Sequence, residues 1–211
     1  MTRIKICGVT TVEQALACTA AGADSIGVNF IPTSPRRVDE AGGRAIVDAV
    51  GSRALVVGIV AGLDVDAMRA LRARTGVGCL QLHGDESPSD VAALLPHAYK
   101  AVRVASADDV ARAEAMPGDY VLADAKVGSA LGGTGHTFDW SLVVRLAARR
   151  RLVLAGGLTP DNVGEAIARV HPWCVDVASG VESAPGIKDL ARVHAFVQAV
   201  RRETPAGADS P

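Results

Sequence analysis

The sequence predicts a single-domain α/β protein built as a closed (β/α)8 barrel, and three observations carry that prediction. Short apolar runs alternate with helix-period segments eight times over roughly 200 residues. No linker, long charge run or change of texture divides the 211 residues, and 49% hydrophobic residues can bury one large core. The rival, an open doubly wound sheet, would place GxGxxG after its first strand, where only Gly8 follows.

The first predicted strand, Ile4 to Cys7, stops at Gly8, and Thr11-Val12-Glu13-Gln14 reads as a capping box for a helix from about Val12 to Ala21, closed by Gly22. Alternation along that strand puts Lys5 and Cys7 on one side and Ile4 and Ile6 on the other. The second strand, Ser25 to Phe30, is followed by a Pro32–Arg36 loop that cannot be helical, and Asp39 caps a helix to about Val50. Next come a strand from Ala54 to Val60, a helix from Asp64 to Thr75, a strand from Cys79 to His83, and a helix begun by Ser87-Pro88. The second half repeats the scheme. Tyr99 to Val104 precedes a helix capped by Ser106, and Tyr120 to Asp124 leads through a glycine-rich loop to a helix entered at Asp139-Trp140. Leu152 to Ala155 leads through Gly156-Gly157 to a helix started by Thr159-Pro160, and Cys174 to Ala178 leads through Ser179-Gly180 to a last helix, about Ile187 to Arg202. The barrel is thus expected over 1–202, with 203–211 a disordered tail.

Composition narrows the function. A net charge of −1 with both signs scattered leaves no electrostatic footprint for nucleic acid or an acidic membrane. The apolar runs are too short to span a bilayer and the N-terminus has no long apolar core of a signal peptide, so a cytoplasmic protein is expected. Cys7, Cys18, Cys79 and Cys174 form no CxxC pair, which argues against a zinc site and a disulfide framework. Cys7 alone sits at a strand end beside a loop.

In such a barrel every loop after a strand opens on one rim. Cys7, Asn29 with Ser34-Pro35-Arg36, Gln81 with His83, Asp124, Gly156-Gly157, and Asp176 with Ser179-Gly180 all fall there, polar or small where packing alone would choose Val or Leu. The last two strands each end in a glycine turn whose backbone N–H groups can approach a ligand, at the loops that commonly hold phosphate in barrels. Gly156, Gly157, Ser179 and Gly180 are therefore read as phosphate-binding.

The pieces Lys5-Ile6-Cys7-Gly8, Ser34-Pro35-Arg36, Gln81-Leu82-His83-Gly84-Asp85-Glu86, Gly132-Gly133-Thr134-Gly135 with Phe138-Asp139-Trp140, Leu154-Ala155-Gly156-Gly157-Leu158 and Asp176-Val177-Ala178-Ser179-Gly180-Val181-Glu182 resemble, in this order, those of phosphoribosylanthranilate isomerase. The resemblance runs from Lys5 to about Arg202. It implies an enzyme of tryptophan synthesis, without a cofactor or metal, that turns N-(5-phosphoribosyl)anthranilate into its 1-deoxyribulose isomer by an Amadori rearrangement. By position, Cys7 matches the family's general base, Asp124 its general acid, and Arg36 the residue that meets the anthranilate carboxylate. His83, Asp176 and Gly133 are further expected substrate contacts, with the Gly132–Gly135 loop as a lid and either a monomer or a homodimer as the assembly. Lys5 has two open readings, a cation that aids the Cys7 thiolate or the partner of Asp176 in a buried ion pair. His83 likewise is either a substrate contact or a packing residue.

Two departures bear on the anthranilate pocket: Val28 and Ile31 flank Asn29 where the family often has aromatics, and Ala61-Gly62-Leu63 follows the third strand. Two other readings stand beside this one. Another sugar-phosphate barrel enzyme, such as an epimerase or thiamine-phosphate synthase, would share the glycine turns, although a metal-using epimerase needs more rim ligands than His83. A non-catalytic phosphate-binding barrel would have no use for the acid and base.

Overall fold

The eight predicted strands are present and parallel: β1 (Arg3–Cys7), β2 (Ser25–Asn29), β3 (Leu55–Val60), β4 (Cys79–Leu82), β5 (Ala98–Arg103), β6 (Tyr120–Asp124), β7 (Arg151–Ala155) and β8 (Cys174–Val177). They close in chain order, with β8 pairing back onto β1 from Arg3↔Cys174 to Ile6↔Val177. The structure is a computed structural model that describes residues 1–124 and 140–203. Between and after the strands run α1 (Val12–Ala20), α2 (Glu40–Val50), α3 (Val65–Thr75), α4 (Pro88–Leu94), α5 (Ala107–Glu114), α6 (Ser141–Ala147), α7 (Val163–Val170) and α8 (Leu190–Glu203). The (β/α)8 barrel read from the sequence is the fold.

Local chemistry sets these boundaries. Thr11, Asp39, Asp64, Ser87 and Ser106 each accept a hydrogen bond from the backbone N–H three residues on, which satisfies a donor that has no partner inside the helix. Ile4 and Ile6 point out of β1 into the layer beneath the helices, while Val57, Tyr99, Ala101, Leu122, Val153 and Cys174 fill the barrel interior. Lys5 shares that interior, only 2% exposed.

The last two units depart from the expected boundaries. Thr159 does not start α7: its N–H donates to Asn162 Oδ1, and its carbonyl accepts from the N–H groups of Asn162 and Val163, so a turn precedes the helix. Ile187 lies outside the last helix. With Lys188 it forms β10 (Ile187–Lys188), antiparallel to β9 (Glu182–Ala184), across a turn where Gly186 takes φ +81. This hairpin follows a 3₁₀ turn over Ser179–Val181 and brings Glu182 and Lys188 to the rim. The helix α8 continues through Glu203, one residue beyond the expected limit. Residues 204–211 and the glycine loop containing Gly133 lie outside the described residues. Among the described residues, no helix is long and apolar enough to cross a membrane.

Candidate active site

One cavity of about 290 Å³ opens at the C-terminal ends of the strands, lined by Cys7, Arg36, His83, Asp124, Gly156, Gly157, Asp176 and Ser179 among others. Of the site residues expected from the sequence, only Gly180 and Gly133 are not in that lining; Gly180 packs behind it and Gly133 is not described.

Cys7 ends β1 with its sulfur fitted against β2, where a Cβ on Gly27 would come within 2.7 Å of Sγ. Burial raises the Cys7 pKa, and it outweighs the opposing pull of Lys5 and Lys188. The resting group is therefore the thiol, and a cation nearby is not sufficient to ionise it. Lys5 is the partner of Asp176, its Nζ 2.7 Å from Asp176 Oδ2, and its charge also acts to lower the pKa of Cys7. Burial opposes the charge on Lys5, but Asp176, then Cys7 and Tyr99, hold its pKa well above the usual value. The other carboxylate oxygen of Asp176, Oδ1, is buried with no hydrogen-bond partner among the described residues and belongs to a residue of the cavity wall.

Arg36 reaches the cavity over Gly8, whose φ of +74 suits glycine and whose Cβ, if present, would stand 2.4 Å from Arg36 Cδ. The guanidinium is gripped from behind: Nε donates to Glu182 Oε1 at 2.8 Å and Nη2 to Oε2 at 2.6 Å. Glu182 Oε1 also accepts from Lys188 Nζ at 2.9 Å, and Lys188 donates further to the carbonyl of Cys7 at 2.6 Å and of Ala178 at 3.2 Å. Burial pushes the Glu182 carboxyl up, yet the bonds from Arg36 and Lys188 win and hold it at about 2. Three elements of the rim, the end of β1, the end of β8 and the Arg36 loop, thus share one buried ion network. Sequence reading passed over Lys188, because Ile187 and Lys188 fit the pattern of a last helix where a lysine would be solvated.

The two glycine turns touch. A Cβ on Gly180 would lie 2.0 Å from the carbonyl oxygen of Leu158, so the turn after β8 can approach the turn after β7 only without a side chain. Gly157, at φ +66, has nothing within 4 Å of its Cβ direction and faces open space. On the far side of the mouth Asp124 is half-buried at the end of β6, and burial lowers the pKa of His83, so its ring is neutral. Among the described residues, no group of three or more His, Cys, Asp and Glu side chains is placed to hold a metal ion.

The family model described as N-(5'phosphoribosyl)anthranilate (PRA) isomerase matches residues 4–199. The chain belongs to the phosphoribosylanthranilate isomerase family. Its relatives in that family include N-(5'-phosphoribosyl)anthranilate isomerases of Pseudomonas aeruginosa, 49% identical across 94% of this chain and 95% of the relative, and of Pseudomonas fluorescens, 46% identical across 95% and 96%. Among solved structures, the phosphoribosyl anthranilate isomerase of Thermotoga maritima superposes with a TM-score of 0.86 at 35% identity, over 96% of this chain and 100% of that one. A second isomerase structure, in complex with reduced 1-(o-carboxyphenylamino)-1-deoxyribulose 5-phosphate, gives a TM-score of 0.84 at 32% identity over 96% and 100% of the chains. The chain is thus an isomerase on a phosphoribosylanthranilate isomerase barrel.

Proposed function

We propose that this isomerase converts N-(5-phosphoribosyl)anthranilate to 1-(2-carboxyphenylamino)-1-deoxyribulose 5-phosphate in tryptophan synthesis, with Asp124 as general acid and Cys7 as general base. The observation that carries the reading is that Cys7, at the end of β1, and Asp124, at the end of β6, line the same cavity. Asp124 gives its proton to the ring oxygen of the ribosylamine, the bond from that oxygen to the anomeric carbon breaks, and an iminium remains. The sulfur of Cys7 then removes the proton on the adjacent carbon, leaving an enolamine that relaxes to the ketone. Because burial holds Cys7 as a thiol, it must first give its proton to solvent water before it can take the carbon proton, and Lys5 and Lys188 favour the thiolate that forms.

The other residues hold the substrate. The turns at Gly156-Gly157 and Ser179-Gly180 offer backbone N–H groups to the phosphate. Arg36, oriented by Glu182, meets the anthranilate carboxylate, and Ile31 and Ile59 of the cavity wall supply apolar surface for its ring. The buried Oδ1 of Asp176 accepts from a sugar hydroxyl, and His83 contacts the sugar from the opposite wall. The enzyme works without cofactor, nucleic acid or membrane, in the cytoplasm, as a monomer or homodimer.

The test follows the fluorescence of phosphoribosylanthranilate formed in situ. Wild-type protein should quench it, Cys7→Ala and Asp124→Ala should each lower kcat by at least about a hundredfold without unfolding the barrel, and Arg36→Ala should mainly raise KM. Near-normal turnover by either of the first two variants overturns that residue's role.

A further inference from the structure

Gln81 lies on β4, 3% exposed, between the charged pair in the barrel interior and the ring of His83 at the mouth. Its Oε1 accepts from Lys5 Nζ at 2.9 Å and from the Tyr99 hydroxyl at 3.0 Å, and its Nε2 lies 3.3 Å from His83 Nδ1. The direction of this amide is decided by chemistry. The ammonium of Lys5, fixed as a cation by Asp176 at 2.7 Å, has three donors and no acceptor, so only the oxygen of Gln81 can face it. The amide NH₂ must then face His83.

An NH₂ group can only donate, so Nδ1 must present its lone pair, and the single proton of a neutral imidazole must sit on Nε2. A second proton would set the Nδ1–H against the amide N–H and lose the hydrogen bond. The groups around the ring are divided: Asp124 on β6 and Asp176 on β8 favour its positive charge, Lys100 on β5 and Lys5 on β1 oppose it, and burial opposes it more than any of them. We propose that Gln81 is a positioning residue that holds His83 as a neutral Nε2–H donor facing the cavity, so that the ring gives the substrate a hydrogen bond and no positive charge.

The consequence for catalysis rests on the acid role of Asp124, whereas the tautomer does not. An imidazolium beside Asp124 would stabilise the carboxylate, the form that cannot donate a proton. A neutral donor binds a substrate oxygen on this wall and leaves the acid intact. The order of the interaction is Asp176 to Lys5, Lys5 to Gln81, Gln81 to His83, so a charge pair on the β1 and β8 side sets the protonation of a ring on the β4 side.

The test is nitrogen NMR on the full chain with labelled histidine and no substrate, the His83 signals being assigned by their loss in His83→Gln. The expected pattern is a pyridine-type Nδ1 and a pyrrole-type Nε2, giving way to the doubly protonated ring only at a pH below the ordinary histidine range. A protonated Nδ1 on the neutral ring, or titration at an ordinary histidine pKa, overturns the inference. Gln81→Glu keeps acceptors for Lys5 and Tyr99 but replaces the NH₂ with an acceptor. It should move the proton to Nδ1 or charge the ring, and lower kcat about tenfold with a new acid limb in its pH profile. An unchanged His83 pattern in that variant likewise overturns it. Absence of turnover in wild-type protein would sink the proposed reaction and leave the NMR pattern standing, so the two failures are distinguishable.

Discussion

At the floor of the barrel Arg3 lies over the ring of Trp173 and Arg151 over that of Tyr120, each with its guanidinium carbon 5.3 Å from the ring centroid, and the two rings meet edge to face at 4.8 Å. At the mouth the cations are paired with carboxylates instead: Lys5 with Asp176, Arg36 and Lys188 with Glu182, and Lys100 with Glu86. Both arginines of the floor are exposed, whereas Lys5, Lys188 and Lys100 are buried. The difference decides what a substitution does. Removing a floor contact returns an exposed group to water, while removing one member of a mouth pair strands a buried charge, at about 3–5 kcal/mol. The mouth keeps these groups because its loops carry the site, and it holds each cation against a carboxylate, with Glu182 joining Arg36 and Lys188.

The largest effect that separates the two ends is expected from Glu182→Ala. Arg36 would lose both bonds that aim it and Lys188 would lose its carboxylate, so stability should fall by about 3 kcal/mol and KM should rise. Urea unfolding and steady-state kinetics together check this. The pH dependence adds a sign. The Glu182 carboxyl is held at about 2 in the folded chain against 4.5 for a free side chain, so its contribution is complete above 4.5 and is lost as pH falls toward about 2. Wild-type protein should therefore lose stability across that window, and Glu182→Ala should lose less. Equal slopes would mean that the pair contributes nothing to acid stability.

Gly180→Ala comes next. Its Cβ would meet a backbone oxygen at 2.0 Å, which no rotamer change can relieve, so the turns after β7 and β8 must part. Overpacking of this kind costs about 1–3 kcal/mol. If these turns hold the phosphate, KM should rise by about tenfold, or 1.4 kcal/mol of binding, with little change in kcat. A variant that loses stability but keeps its KM would assign Gly180 to packing alone.

How far the sequence carries differs between these two structural ideas. The barrel was legible because each strand and most helix starts are local facts: Thr11, Asp39, Ser87 and Ser106 announce their helices within four residues, and polar groups at strand ends mark the rim. The cavity residues were legible for the same reason, since a strand end fixes where Cys7, His83, Asp124 and Asp176 must lie. The network behind them was not. Arg36 and Glu182 are 146 positions apart, and nothing local to either residue names the other. Lys188 was hidden by the hairpin at Gly186, which the helical pattern after Ile187 conceals. Thr159-Pro160 misled in the opposite direction, because a cap followed by proline is a good local signal that the side chain of Asn162 overrides. The protonation of Cys7 was half legible: a cation two residues away could be read from alternation, but that burial would outweigh it required the packed barrel.

The smallest effect tests whether floor and mouth are independent. Arg3 is exposed, donates no side-chain hydrogen bond among the described residues, and offers its guanidinium to one face of Trp173. A contact of this kind contributes about 0.5–1 kcal/mol at an exposed site, so Arg3→Ala should lower Tm by about 2 °C in a chain of this size. Yet Arg3 is also the first residue of β1, whose last residue is Cys7, so the strand itself is a rigid line between the two ends. If the backbone ladder holds β1 in register against Ser25 and Cys174 without help from the side chain, kcat and KM stay at their wild-type values. A fall in kcat larger than the loss of stability can explain would mean that the floor contact sets where the thiol stands, and the division between a structural end and a chemical end would fail at that strand.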